Sequence, residues 1–317
     1  MINKLKSLVF LGECMQEHRA DGSESFGGDT FNTAWYLSQL LKQSHVTDCE
    51  IYYATAIGAD SHSQQFKRVM QECGISEQFV ITHSCKVMGK YQITVDGKGE
   101  RNFSFDRAQS AAREYFNLDE TLSDALYNKR VDAIYLSGIS LAILCEQQRN
   151  HLLMLLNTFK QKGGVIFFDN NYRRSVWLNT QPQAIYLAVM ALTCLAFLTD
   201  EDEYAVYSTS NPADIFAFHQ ASHETSQTLV VRQGHLPCVI KSIGHDASIT
   251  VPAERVNDER VVDTCGAGDA FAAGFLAKML TQGLVNDAAR FAHQVAATVI
   301  QHHGALVPLN LLPKLVQ

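Results

Sequence analysis

Short apolar runs alternate along the chain with longer stretches in which apolar residues recur every third or fourth position. The runs Ser7–Gly12, Ile51–Ala56, Ala133–Ser137, Val165–Asp169, Leu195–Thr199, Leu229–Arg232 and Cys238–Lys241 predict strands. The stretches Thr30–Leu41, Ser63–Cys73, Gln147–Lys162, Ala184–Leu192 and Ala213–His223 predict amphipathic helices, and the last third adds Ala267–Leu280 and Val285–Gln301. A core strand repeatedly followed by a helix implies a mostly parallel sheet covered on both faces, an α/β fold.

Two segments break this alternation. Residues 13–26 are polar, and 86–107 read as a hairpin, with Tyr91–Val95 and Asn102–Phe105 flanking the turn Asp96-Gly97-Lys98-Gly99. Such strands fit poorly between the helices of a parallel sheet, so they are placed together as a small β lid. No internal repeat and no Pro-, Gly- or Ser-rich linker divides the chain. The expected organisation is one domain over 1–317 with lid segments near 13–27 and 85–108, the lid excluding water from a site beneath it.

Composition narrows the function. Against 26 Lys and Arg stand 33 Asp and Glu, a net charge of −7, which argues against a nonspecific nucleic-acid binder. The eight cysteines include no CxxC pair, since the closest two, Cys73 and Cys85, are twelve apart; they read as reduced, mostly buried thiols. The start resembles no secretory signal, and the uncharged stretch from Ser175 to Thr199 is strongly apolar only from Ala184 to Leu198, short of a membrane span. A cytoplasmic protein without a membrane segment is expected.

The chemistry concentrates in Val261-Val-Asp-Thr-Cys-Gly-Ala-Gly-Asp-Ala-Phe-Ala-Ala-Gly-Phe275. Small residues at a helix start let its free N–H groups converge on an anion, helped by the helix dipole. Asp269 would lie in that first turn. A carboxylate beside a bound phosphate is unfavourable unless it has a task, and accepting a proton from an attacking hydroxyl is one. The plainer alternative is a tight turn at Gly266 and Gly268 with Asp263 or Asp269 as a helix cap. No Walker sequence is present, because Gly89-Lys90 and Gly97-Lys98 are followed by Tyr91 and Gly99, and Phe271 stands where GxGxxG needs glycine.

The segment Asp263-Thr-Cys-Gly-Ala-Gly-Asp-Ala-Phe-Ala-Ala-Gly274 closely resembles the C-terminal signature of the PfkB, or ribokinase-like, carbohydrate kinases. Their second signature is matched by Phe26-Gly-Gly-Asp-Thr-Phe-Asn-Thr-Ala34, and the resemblance covers essentially the whole chain. Leu11–Met15, Tyr135–Leu144 and Phe168-Asp-Asn-Asn-Tyr-Arg173 are most similar to the members that act on 2-keto-3-deoxygluconate. The resemblance implies ATP- and Mg²⁺-dependent phosphorylation of that sugar acid at its terminal hydroxyl. It makes Asp269 the base and the N–H groups of Gly266, Ala267 and Gly268 the anion hole. It puts Gly28, Asp29 and Asn32 on the sugar hydroxyls, Tyr91, Phe105 and Arg107 of the lid over the sugar acid, and Arg173 on the carboxylate. Asn171, Arg173, Arg232 and Gly234, with Gly266 and Gly268, fall to the nucleotide, Glu203 acts indirectly on the metal, and a homodimer joined through the lid is expected.

Three departures from the family pattern stand out. Asp200-Glu-Asp-Glu203 keeps the glutamate of an Asn-x-x-Glu element and replaces its amide; Phe105 replaces a common tyrosine; and the loop Arg232-Gln-Gly-His-Leu-Pro237 ends in proline. A kinase of a neutral sugar is the competing reading, opposed by two buried arginines that would then be unpaired. A catalytically silent sugar-binding regulator is a third, opposed by the intact Asp269 and glycine pair. His302 and His303, adjacent in a helix, point about 100° apart and cannot share a metal. The other histidines show no ligand spacing and read as structural or exposed.

Overall fold

The computed structural model describes residues 2–19, 21–44, 48–95, 101–178, 180–222, 227–242, 247–281 and 283–316. Among these residues thirteen strands form two sheets: β1 (Ser7–Leu11), β2 (Met15–Arg19), β3 (Glu24–Gly27), β4 (Glu50–Ile57), β5 (Ile75–Thr82), β6 (Gly89–Val95), β7 (Arg101–Asp106), β8 (Ala133–Ser137), β9 (Val165–Asp169), β10 (Leu195–Thr199), β11 (Thr228–Arg232), β12 (Cys238–Ser242) and β13 (Ile249–Val251). The large sheet runs β13-β12-β11-β10-β9-β8-β1-β4-β5 and is parallel from β5 to β11.

Alternation along each strand builds two cores. Leu8, Phe10, Phe167, Phe197 and Val230 point to one face, beneath helices Asp29–Ser44, Ala267–Leu280 and Val285–Val299. Val9, Leu11, Ile166, Phe168, Leu198 and Val231 point to the other, beneath helices that include Glu146–Gln161 and Gln183–Met190. Strands buried on both faces read as unbroken apolar runs, which is why the sequence locates them.

Several elements differ from the sequence reading. The β11–β12 and β12–β13 pairings are antiparallel, the first because the short connection at 233–237 cannot hold a crossover. Gly234 turns that connection with φ 58°. β5 and β13 were not expected: both have exposed or half-exposed positions along them, so neither shows a continuous apolar run. The helix Val285–Val299 ends before His302 and His303, which lie in the bends that follow. Of the cysteines only Cys14, Cys73 and Cys238 are buried, while Cys85 and Cys145 are exposed.

The small sheet, ordered β3-β2-β6-β7, joins the polar segment to the hairpin through a parallel β2–β6 pair. The Asp96–Gly99 turn lies outside the described residues, as does His223. None of the described helices is long and apolar enough to cross a membrane.

Candidate active site

In open α/β sheets ligands bind beyond the carboxyl ends of the strands. Here a cavity of about 540 Å³ opens there, floored by the ends of β9, β10 and β11, walled by two helix N-termini, and covered by Met15, Tyr91 and Phe105 of the small sheet. Its size suits a small-molecule site.

The glycine-rich loop forms one wall. Gly266 takes the left-handed conformation (φ 74°) at the cap of Ala267–Leu280, and a Cβ there would lie 2.7 Å from the Ala305 carbonyl oxygen. Asp263 is buried and ties this loop rather than capping the helix: its carboxylate accepts from the N–H of Cys265 (3.1 Å) and of Gly304 (2.8 Å). The N–H groups of a helix's first turn have no intrahelical partner. Of the three assigned to the anion hole, that of Ala267 already donates to the Thr264 carbonyl at 3.3 Å.

Asp269 sits one turn in, where Asn32 Nδ2 donates to its Oδ2 at 2.8 Å. Burial and the nearby Asp29 carboxylate push its pKa up to about 7, against the Asn32 hydrogen bond and the Arg232 cation. Asp29 begins the facing helix after Gly28, whose φ of 141° and close approach to the Glu13 carbonyl require glycine. Burial raises the Asp29 pKa too, opposed by hydrogen bonds from Ser137, its neighbour's N–H and Asn171, whose amide reaches it at 2.6 Å.

On the floor, Arg232 grips Asp169 with two hydrogen bonds (2.8 and 3.0 Å) and also donates to Gly268 O and Thr199 Oγ1. Such a fork-to-fork pair fixes orientation as well as charge. It locks the ends of β9 and β11 to the glycine-rich loop. Asp202 at the rim is pushed up to about 6 by burial, against the Arg173 cation.

Gly28, Asp29, Asn32, Tyr91, Phe105, Asn171, Arg173, Arg232, Gly234 and Gly266 to Asp269 all line this one cavity. Arg107 and Glu203 do not. The Arg107 guanidinium pairs with the buried Glu13 carboxylate. Glu203 is buried behind Asn170, accepting from Asn170 Nδ2 (3.1 Å) on one oxygen and meeting His219 Nε2 (2.8 Å) on the other. Arg173 is 53% exposed in its side chain, with one 3.5 Å contact to Asp202. The expectation of two buried arginines facing the acceptor, left unpaired only by a neutral sugar, is therefore corrected: Arg107 is buried but already paired with Glu13, and Arg173 is exposed.

Asp169, Thr199, Glu201, Asp202, Thr264 and His293 also line the cavity. The strand-end position of Asp169 was a usable signal. His293 is buried and packs edge-on to Phe271 at 5.0 Å. Its amphipathic helix carried no signal that it reaches a site. Among the described residues no group of three or more His, Cys, Asp or Glu is arranged to hold a metal.

Residues 6–311 match the sequence model of the pfkB family carbohydrate kinases. The chain belongs to this family. It is 36% identical to 2-dehydro-3-deoxygluconokinase of Escherichia coli K12 over 312 residues, covering 97% of this chain and 99% of that one. It is 33% identical to the enzyme of that name from Haemophilus influenzae, covering 96% of each. Among solved structures, 2-dehydro-3-deoxygluconokinase from Thermotoga maritima superposes with a TM-score of 0.78 at 19% identity, covering 95% of both chains. Fructokinase with bound ATP from Xylella fastidiosa gives 0.77 at 19%, covering 97% and 95%. These likenesses give the pfkB-family member a ribokinase-like fold, a large, mostly parallel sheet flanked by helices with a smaller separate sheet.

Proposed function

We propose that this pfkB-family kinase transfers the γ-phosphoryl group of ATP to the terminal hydroxyl of 2-dehydro-3-deoxy-D-gluconate, giving the 6-phosphate (EC 2.7.1.45). The observation that carries the chemistry is Asp269, a carboxylate with a pKa of about 7 at the mouth of a helix N-terminus. The named relatives, similar over nearly their whole length, carry the substrate.

Asp269 takes the proton of the attacking hydroxyl, and its oxygen is held in place by Asn32. A base poised near the working pH combines availability with proton affinity. The free N–H groups at Gly266 and Gly268 stabilise charge on the transferring group, a task in which positioning and electrostatics dominate. Gly28, Asp29 and Asn32 orient the acceptor, Tyr91 and Phe105 close over it, and Arg173 meets its carboxylate. Arg232 acts through Asp169 and the Gly268 carbonyl, shaping the loop around the nucleotide, with Gly234 and Asn171 beside it.

The donor set fits a magnesium ion that arrives with the nucleotide. Among the described residues there is no protein cage, and the carboxylates of Glu201 and Asp202 line the same cavity, as suits an ion that keeps phosphate and water ligands. Magnesium supplies charge neutralisation on the phosphates. Glu203 acts through Asn170, whose Oδ1 accepts from Thr199 N at the rim.

One observation favours a second reading. Arg107 is neutralised by Glu13 and Arg173 is exposed, so neither by itself forbids a neutral sugar such as fructose. Phosphorus-coupled NMR of the product formed from ATP and the keto-deoxy acid separates the readings. A phosphate on the terminal carbon is expected; ADP formation without a phosphorylated sugar acid would overturn the proposal. We also infer a cytoplasmic homodimer joined through the lid, checked by sedimentation.

A further inference from the structure

Registration across the lid places four side chains on one rung: Ser25 and Glu17 face each other across β3 and β2, Glu17 and Tyr91 across β2 and β6, and Tyr91 and Phe105 across β6 and β7. Side chains two apart share a face, so Met15 joins Glu17, and this face carries the Tyr91, Phe105 and Met15 side chains that line the cavity. Glu17 itself is buried and does not line it. Three donors converge on its carboxylate: Arg19 Nε (2.6 Å) and Ser25 Oγ (3.0 Å) on one oxygen, and the Tyr91 hydroxyl on the other.

A carboxylate only accepts, and a tyrosine hydroxyl owns one hydrogen. Burial and the Glu17 charge raise the Tyr91 pKa, so the phenol keeps that hydrogen. With the hydrogen directed at Glu17, what Tyr91 retains for a ligand is a lone pair. An acidic oxygen of the substrate carboxylate is then a poor partner, and a sugar hydroxyl, which can donate, is a good one.

We propose that Glu17 is a positioning residue for acceptor recognition: it fixes the Tyr91 hydroxyl as a hydrogen-bond acceptor, so that Tyr91 reads a secondary hydroxyl of the sugar acid and not its carboxylate. The proposal rests on the sugar-acid kinase reading above. Arg19 balances the Glu17 charge and lies against Gly304, where an added Cβ would come within 2.5 Å of its Nη2. The rung is thereby seated on the loop that Asp263 ties to the anion site.

The test is a double-mutant cycle with Glu17→Gln and Tyr91→Phe, read as KM and kcat for 2-dehydro-3-deoxygluconate and KM for ATP. Each single change is expected to raise the acceptor KM about tenfold, leaving kcat and the ATP KM within about twofold, and the double variant is expected to be no worse than the weaker single one. Additive losses, or a fall in kcat with unchanged acceptor KM, would overturn the proposal. A second measurement needs no Glu17 variant: the 4-deoxy-4-fluoro and 5-deoxy-5-fluoro substrates each lack one hydroxyl donor. One of them is expected to bind the native enzyme about tenfold more weakly than the parent and to lose nothing further in Tyr91→Phe. If both bind like the parent, Tyr91 does not accept from a sugar hydroxyl. Failure of the native enzyme to phosphorylate the parent compound would instead remove the sugar-acid reading.

Discussion

Replacing Asp269 by asparagine should abolish turnover and at the same time stabilise the folded protein. The Asp269 carboxyl rises from 3.8 to about 7 on folding, chiefly through burial and the neighbouring Asp29. Between those values the folded chain holds a proton that the unfolded chain has released, so stability falls as pH rises through this window and the full penalty is present above it. At about 1.4 kcal/mol per pH unit the rise corresponds to roughly 4 kcal/mol. Solvent reaching Asp269 from the cavity lowers this, and on the order of 1–3 kcal/mol is expected. The substituted amide loses little, because its oxygen can still accept from Asn32 Nδ2. The assay is urea unfolding of ligand-free protein at pH 5 and pH 8, native against Asp269→Asn. The variant should gain stability over native as pH rises, with the larger gain at pH 8. A variant less stable than native at pH 8, or a difference that does not change with pH, would refute the account of a half-buried base whose charge folding disfavours.

The same group should set the acid limb of turnover: kcat falls about tenfold per pH unit below pH 7, and a limb near pH 4 would mean that another group takes the proton. Arg232→Met leaves the Asp169 carboxylate buried without its cation, so a loss of about 3–5 kcal/mol in unfolding free energy is expected, together with an acid limb moved upward as Asp269 loses a stabilising charge; a loss under about 1 kcal/mol would show that the pair is not integral. Arg173→Ala should weaken binding of the acid acceptor by about 1–2 kcal/mol, read as a KM raised roughly 5- to 30-fold, less than a buried arginine would cost because the side chain is 53% exposed, and equal losses for acid and neutral sugars would remove its carboxylate role.

How much was legible in the sequence follows from how each part is buried. Strands such as Val165–Asp169, enclosed on both faces, announced themselves by continuous apolar runs, and Ala267–Leu280 was bounded correctly because small residues mark its start. The lid was harder. Residues 13–26 read as a polar part of the lid, yet 13 to 17 are all buried, and the charges of Glu13 and Glu17 are matched by Arg107 and Tyr91 from the hairpin and by the nearby Ser25 and Arg19. Paired buried charges are visible only once partners distant in sequence meet. The same holds for the Arg232–Asp169 pair and for Glu203 with His219, whose partners lie 63 and 16 residues apart. His293 reached the cavity from a helix face that the pattern marked only as apolar.

The most direct test of the central claim is an ADP-release assay with Mg-ATP comparing 2-dehydro-3-deoxygluconate, gluconate, fructose and ribose, each with native protein and with Asp269→Asn. Turnover is expected with the keto-deoxy acid and native protein alone. Preferred turnover of fructose or ribose, or undiminished activity in Asp269→Asn, would contradict it.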